Sequence, residues 1–284
     1  MTTRVLKGTW RVLCLCLVAI AVVGCRADST GCVDLSRWIE VDPSECPGQV
    51  GLTVVYDNNG YDAHLETDWG FACWVQYGES VVLFDTGADG DILQRNLATL
   101  GLDTHAIDVV VLSHVHQDHI GGLQSLLDAG VRPDVYVPMT FPTTYKEQLR
   151  KQVTLHEVDD AEEILPGLYT TGKMGLNIPE QGLVLKSNQG LVVITGCAHS
   201  GVEEMVRQAK AIARDDLCLV LGGFHLGQAS AAQVRGICDA FRDLGVVNVA
   251  PSHCTGESAM KVLAEEYGDQ YLSAGVGWGV GMCP

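Results

Sequence analysis

Basic residues are scarce in this chain of 284 residues: 18 lysines and arginines stand against 35 aspartates and glutamates, for a formal net charge of −17. No basic stripe is available to neutralise phosphates, which excludes nucleic acid as a partner and leaves a solvated acidic surface. Aromatic residues make up only 6% of the chain while glycines number 32, a balance that calls for many tight turns. No repeat of fixed period and no low-complexity tract occurs, which excludes solenoids and biased arrays. A Gly-x-Ser-x-Gly elbow is missing too, so a serine nucleophile has no signature here. The hydrophobic content of 47% suffices for one large domain, or two small ones, with a real buried core.

Near the start, the apolar run Val12–Val23 is too short for a comfortable membrane span. Arg4, Lys7 and Arg11 precede it, and it closes in Val22-Val23-Gly24-Cys25, which resembles the lipobox of bacterial lipoproteins. Residues 1–25 are therefore expected to be a lipoprotein-type signal peptide, with a lipid on Cys25 tying the protein to a membrane. The location expected is the periplasmic face or the cell surface. An uncleaved anchor helix is the alternative, and it too puts the domain outside the cytoplasm. Of the 11 cysteines, Cys14 and Cys16 would leave with the signal. An oxidising compartment favours pairing among those beyond Cys25. Cys32 and Cys46 flank a segment of little periodicity and form the first candidate pair, within a tether or cap over residues 26–50. Connectivity among Cys73, Cys218, Cys238 and Cys283 stays open.

Residues 51–284 form the expected catalytic domain. Strands are expected at Leu52–Tyr56, Ala72–Tyr77, Val81–Phe84, Ile107–Leu112, Val135–Val137, Gly182–Leu185, Leu191–Thr195, Leu217–Leu221 and Val246–Val249. Between them, "DILQRNLATLG" carries leucines at helical spacing, and "HSGVEEMVRQAKAIA" opens with Ser200 and Glu203 in a capping-box pattern. A third helix, "SAAQVRGICDAFRDLG", closes on glycine. Many strands with interspersed helices indicate a layered α/β or α+β fold.

The polar groups that stand out lie at the ends of apolar runs. Val109–Leu112 leads into "SHVHQDHIGG", with His114, His116, Asp118 and His119. Leu191–Thr195 leads into His199, Leu217–Leu221 into His225, and Val246–Ala250 into His253. Strand ends meeting at one sheet edge are where α/β proteins build sites. His114 and His116 can point one way from an extended segment, while Asp118 and His119 open the next helix and face the other side of a cavity. One loop can thus serve two divalent metals, with His199, His225 and His253 completing the shells. Neutral imidazole and carboxylate suit Zn²⁺, and also Fe or Mn. Packed together without a metal, six imidazoles and an aspartate would cost stability with no compensation. His64, His105 and His156 lack this context and read as ordinary polar residues.

"HVHQDH", with "FDTG" at Phe84–Gly87, resembles the signature of the metallo-β-lactamase superfamily over roughly residues 51–284. "YDNN", "TGCAHSG", "GGFHLG" and "SHCTG" resemble the branch of the dihydropterin–ribofuranosylaminobenzene phosphate synthase. The resemblance implies an α+β four-layer αβ/βα sandwich with a two-metal site at the edge between its sheets. It also implies that His114, His116 and His199 hold one metal and that Asp118, His119 and His253 hold the other. Where the superfamily has an aspartate bridging both metals, this chain has His225, either a terminal ligand or a substrate-facing donor. Asp85 matches the carboxylate that buttresses a ligand histidine, unless it simply caps its turn. Cys197 could lie near a metal or be a packed thiol. Asn58 and Asn59 could reach the cavity or form an ordinary Asn-Gly turn. The branch has a histidine where this chain reads "TDWG" with Trp69, so any contact made by that histidine is missing.

The expected activity is dinuclear metal-dependent hydrolysis of an ester, lactone, amide or phosphoester. A metal-bound hydroxide would attack, and Asp118 would both ligate a metal and hold the proton. A small-molecule substrate is expected, and no protein partner is evident from the sequence. Three other functions remain beside this one: a transferase of the synthase type, a periplasmic β-lactamase, and a non-catalytic metal-binding lipoprotein.

Overall fold

In the computed structural model, the described residues are 50–282. The signal-type segment, Cys25, the tether, the Cys32–Cys46 pair and Cys283 lie outside them. Seven strands form the first sheet: β1 Val50–Asp57, β2 Phe71–Tyr77, β3 Ser80–Phe84, β4 Val109–Val111, β5 Asp134–Pro138, β6 Thr154–Val158 and β13 Gly279–Met282. Their spatial order is β13-β1-β2-β3-β4-β5-β6. The second sheet holds β7 Glu162–Leu165, β8 Leu168–Thr170, β9 Leu183–Ser187, β10 Gly190–Thr195, β11 Leu217–Gly223 and β12 Asn248–Ser252. It runs β12-β11-β10-β9-β8-β7.

Three apolar clusters show how the layers stack. One joins the inner faces of both sheets through Val54, Val75, Phe84, Leu185, Ile194 and Leu221. A second packs the outer face of the second sheet under helices α5 Val202–Ala213, α6 Ala231–Leu244 and α7 Glu257–Tyr267. The third packs the first sheet's outer face under α1 Gly90–Thr99, α3 Leu123–Asp128 and α4 Thr143–Leu149. The short helix α2, Gln117–Ile120, lies between α1 and α3 in the chain. The architecture is the αβ/βα sandwich, and strands buried on both sides explain the unbroken apolar runs at β10 and β11.

All nine expected strands are present, with β4 shorter and β12 shifted toward the C-terminus. β6, β7, β8 and β13 were not expected, being short, half-exposed or glycine-rich. One local expectation fails. Ser200 does not cap α5, whose N-cap is Gly201 with no side-chain cap; the Ser200 N–H and hydroxyl both donate to Glu180 Oε1. The complete capping box belongs instead to α6, between Ser230 and Gln233. Cys218 is disulfide-bonded, and Cys73, Cys197, Cys238 and Cys254 are free thiols.

Strand direction brings the polar strand ends together. β3 to β6 run parallel, as do β10 to β12, so their carboxyl ends share an edge within each sheet. β1 reaches the same end through two antiparallel pairings, with β2 and then β3. Gly222 lets β10 and β11 converge there: at φ +117°, a Cβ on it would lie 2.0 Å from Thr195 O. Gly222→Ala is expected to cost roughly 1–3 kcal/mol, read as a lowered thermal midpoint.

Candidate metal centre

Seven side chains converge at this edge from four strand ends. His114 Nε2 lies 3.0 Å from His116 Nδ1, and the His199 ring stands 4.9 Å from His114 and 5.1 Å from His116. On the other side, Asp118 Oδ2 is 3.6 Å from His119 Nε2 and 3.4 Å from His253 Nε2. The donor atoms of His114, His116 and His199 lie within 4.8 Å of one another, and so do those of Asp118, His119 and His253. The His114 and His119 rings, 4.2 Å apart, join the two groups. The residues of the two sets drawn from the resemblance thus lie near one another, and His114, His119 and Cys197 form a further close group.

His225 stands outside both sets. Its ring lies 4.3 Å from His199, and its nearest donor group consists of Cys197 and Cys254. It is exposed at the mouth of the site, an arrangement that suits an outward-facing donor. Cys197 is buried with Sγ 3.2 Å from His119 Nε2, nearer the centre than a merely packed thiol need be. His64 pairs with Asp62 on the surface and His156 stacks on Tyr136, both apart from the cluster.

Buried partners orient the ligands. Asp85 accepts from the Ser113 N–H and hydroxyl, both at 2.6 Å, and from His119 Nδ1 at 2.7 Å. That leaves the His119 Nε2 lone pair for the centre, the usual task of a carboxylate behind a ligand imidazole. Asn58 does the same for His253: its Nδ2 donates to His253 O, and its Oδ1 accepts from Nδ1 at 2.9 Å. Asn58 thus reaches the site instead of turning a hairpin, while Asn59 caps the Asp57 carboxylate. Removing the imidazole's partner in Asn58→Ala is expected to weaken metal at the Asp118 set by about 10–100-fold, measured by competition with a chelator.

The electrostatics favour unprotonated donors. Burial and the neighbouring imidazoles hold His114 far below the usual histidine range. Burial followed by His225 and His116 lowers His199 to about 4. Burial would raise Asp118, but the adjacent His253 and His119 outweigh it and hold the carboxylate well below the usual range. His119 runs the other way: burial opposes its proton, yet the Asp85 charge holds it above the ordinary value. Burial raises Asp57 to about 6.

The backbone is also strained here. Among the described residues, non-glycine φ values in the left-handed region occur at Asp85 (58°), Ala198 (58°), His225 (53°) and His253 (45°), and otherwise only at Arg214. Such conformations persist where the surrounding structure over-determines them, commonly at functional sites. Ser113, Asp57 and Glu180 belong to the site's surroundings but were not anticipated. Ser113 abuts the histidine motif, and Asp57 ends β1 as the histidines end their strands. Glu180 had no local signal, since it arrives from the loop before β9.

A divalent metal fits these residues. His199 Nε2 and His253 Nε2 are buried and make no hydrogen bond, an expensive arrangement unless a cation accepts both lone pairs. Nitrogen and carboxylate donors in sets of three are of the kind divalent metals take.

Stacked sheets flanked by helices, with this His/Asp cluster at their edge, define the metallo-β-lactamase fold. The model of the metallo-β-lactamase superfamily matches residues 70–207 of the chain, and the chain has the metallo-β-lactamase fold. It is 26% identical over 269 residues to the 7,8-dihydropterin-6-methyl-4-(β-D-ribofuranosyl)-aminobenzene-5'-phosphate synthase of Methanocaldococcus jannaschii, covering 77% of this chain and 92% of that one. A crystal structure described as a metal-dependent hydrolase of the β-lactamase superfamily superposes with TM-score 0.68 at 27% identity, over 81% of this chain and 98% of the other. The human short-form tRNase Z shares the fold at TM-score 0.57 and 14% identity, over 81% and 98% of the two chains.

Proposed function

We propose that the protein is a dinuclear metal-dependent hydrolase acting on an ester, lactone, amide or phosphoester. One observation carries the reading: two three-donor sets, His114/His116/His199 and Asp118/His119/His253, lie side by side with the His114 and His119 rings 4.2 Å apart. Their nitrogen-rich composition suits Zn²⁺, with Fe or Mn compatible. Divalent cations held there would supply Lewis acidity, activating a water and polarising the centre under attack. The chain's own groups supply the rest. Asp118, kept ionised and partly solvent-accessible, is a ligand that can also take the water's proton at Oδ2. Asp85 and Asn58 fix which imidazole nitrogens face the centre. His225 stands at the mouth, able to donate a hydrogen bond to a substrate or leaving-group oxygen.

A metal-quantified sample assayed against esters, lactones, β-lactams and phosphoesters tests this. Two metals per chain and turnover of one class are expected. Fewer than one metal per chain sinks the dinuclear reading. Two metals with no hydrolysis favour a transferase, a reading supported by the similarity to a relative named as a synthase. We further propose, on the Arg4–Cys25 pattern alone, that the protein is exported and held at the membrane by a lipid on Cys25.

A further inference from the structure

Trp69 is exposed yet rigidly mounted. Its side chain is 55% accessible to solvent, among the few large apolar groups left so exposed in the described residues. The segment carrying it is nevertheless pinned on both sides. The Asp68 N–H donates to Asp57 O, and Tyr56 Oη donates to Asp68 Oδ2 at 2.6 Å. On the other side, Gly70 packs so closely on the metal loop that a Cβ would lie 2.5 Å from Asp118 O. The indole therefore stands 4.8 Å from the His253 ring, ring centre to ring centre, tilted by 52°. A fold that holds a large aromatic firmly beside a ligand histidine, but does not bury it, leaves a face free for something else.

The space in front of that face is a cavity of about 410 Å³, bordered by Trp69, Met260, Asn58, Asn59, His253 and Glu257. Its floor is backbone: Gly256, at φ +82°, touches Gly227, and a Cβ there would lie 2.7 Å from Gly227 Cα. No lysine or arginine lines it, and its one carboxylate, Glu257, repels anions. The neighbouring cavity bordered by His225 and Gln233 likewise has a glutamate, Glu203, and no lysine or arginine. No lysine or arginine is placed in either cavity to pair with a phosphate or carboxylate away from the metals. An aromatic face beside a thioether instead matches a flat, uncharged surface.

We propose that Trp69 is a specificity-determining residue and that this cavity takes an uncharged, ring-bearing group of the substrate beside the metal centre. The inference rests on the hydrolase reading for its use but not for its test. The test measures binding of benzamide and of benzenesulfonate, a ring of similar size carrying negative charge, to the metal-loaded full chain. Trp69→Ala and Trp69→Phe are compared with wild type by ligand-observed NMR, with metal content checked in each.

Benzamide is expected to bind about three- to tenfold more weakly to Trp69→Ala, and to Trp69→Phe within about twofold of wild type. Benzenesulfonate is expected to bind wild type more weakly than benzamide. For any ester that turns over, Trp69→Ala should raise KM for a phenyl ester and leave KM for the methyl ester unchanged. Equal benzamide binding by wild type and Trp69→Ala, no benzamide binding at all, or benzenesulfonate binding as tightly overturns the proposal. Binding that depends on Trp69 without hydrolysis of any ester leaves the ring site standing and removes the hydrolase reading. Hydrolysis with binding indifferent to Trp69 does the reverse.

Discussion

Asp118→Asn is expected to lower kcat/KM for any hydrolysed substrate by about 10²–10⁴-fold, the span associated with loss of a proton-transfer group. An amide cannot take a proton from water at neutral pH, and it is a poorer cation ligand than a carboxylate. Asp118 Oδ2 lies within 3.6 Å of His119 Nε2 and 3.4 Å of His253 Nε2, so its loss should empty only that set. Metal stoichiometry should fall from two to one while His114, His116 and His199 retain theirs. The side chain is partly exposed on α2 and supports no apolar core, so the metal-free variant should melt close to the metal-free wild type. An active variant, or one that loses both metals together, would contradict the role assigned to Asp118.

Asp85→Ala should act on stability instead. The carboxylate is fully buried and accepts hydrogen bonds from the Ser113 N–H, the Ser113 hydroxyl and His119 Nδ1. Deleting it leaves three buried donors without an acceptor and removes the charge opposite His119. Breaking a buried ionic pair by removing one partner costs about 3–5 kcal/mol. For a domain of this size that is a midpoint drop of roughly 6–20 °C, measured on metal-free protein so that lost metal binding does not contribute. Asp85→Asn keeps one acceptor oxygen and should recover part of the loss. An alanine variant that melts with wild type would mean that His119 and Ser113 find other partners, and that Asp85 only shapes its turn.

Both variants probe positions legible to different degrees in the sequence. Asp118 could be read directly because its motif is local: four donors within six positions behind an apolar run need no knowledge of the fold. Asp85 was legible only in part. Its place before Thr86-Gly87 fits a turn cap as well as a buttress, and it meets His119 across more than thirty residues of chain. Ser200 shows the opposite failure, since its spacing to Glu203 satisfies a local capping rule. A buried carboxylate from a distant loop, Glu180, claims both its N–H and its hydroxyl. Local hydrogen-bond rules yield when a tertiary partner offers a buried charge.

The amino-acid pattern by itself determined a layered α/β or α+β class and the inventory of donors; the αβ/βα order of layers was implied only by the motif resemblance. Apolar runs buried on both faces, glycine-marked turns and strand-terminal histidines depend on short-range periodicity and composition. The motif resemblance suggested how those donors divide, and tertiary structure brings them together that way: His199 near His114 and His116, His253 near Asp118 and His119, and His225 outside both groups. That division depends on parallel strand ends far apart in sequence coming to one edge, and on the directions their Cβ atoms take once the sheets stack. The same stacking sets Trp69 against His253, because Gly70 can approach Asp118 as no larger residue could. Neither contact is encoded within a few residues of either partner, so only the packed chain could reveal it.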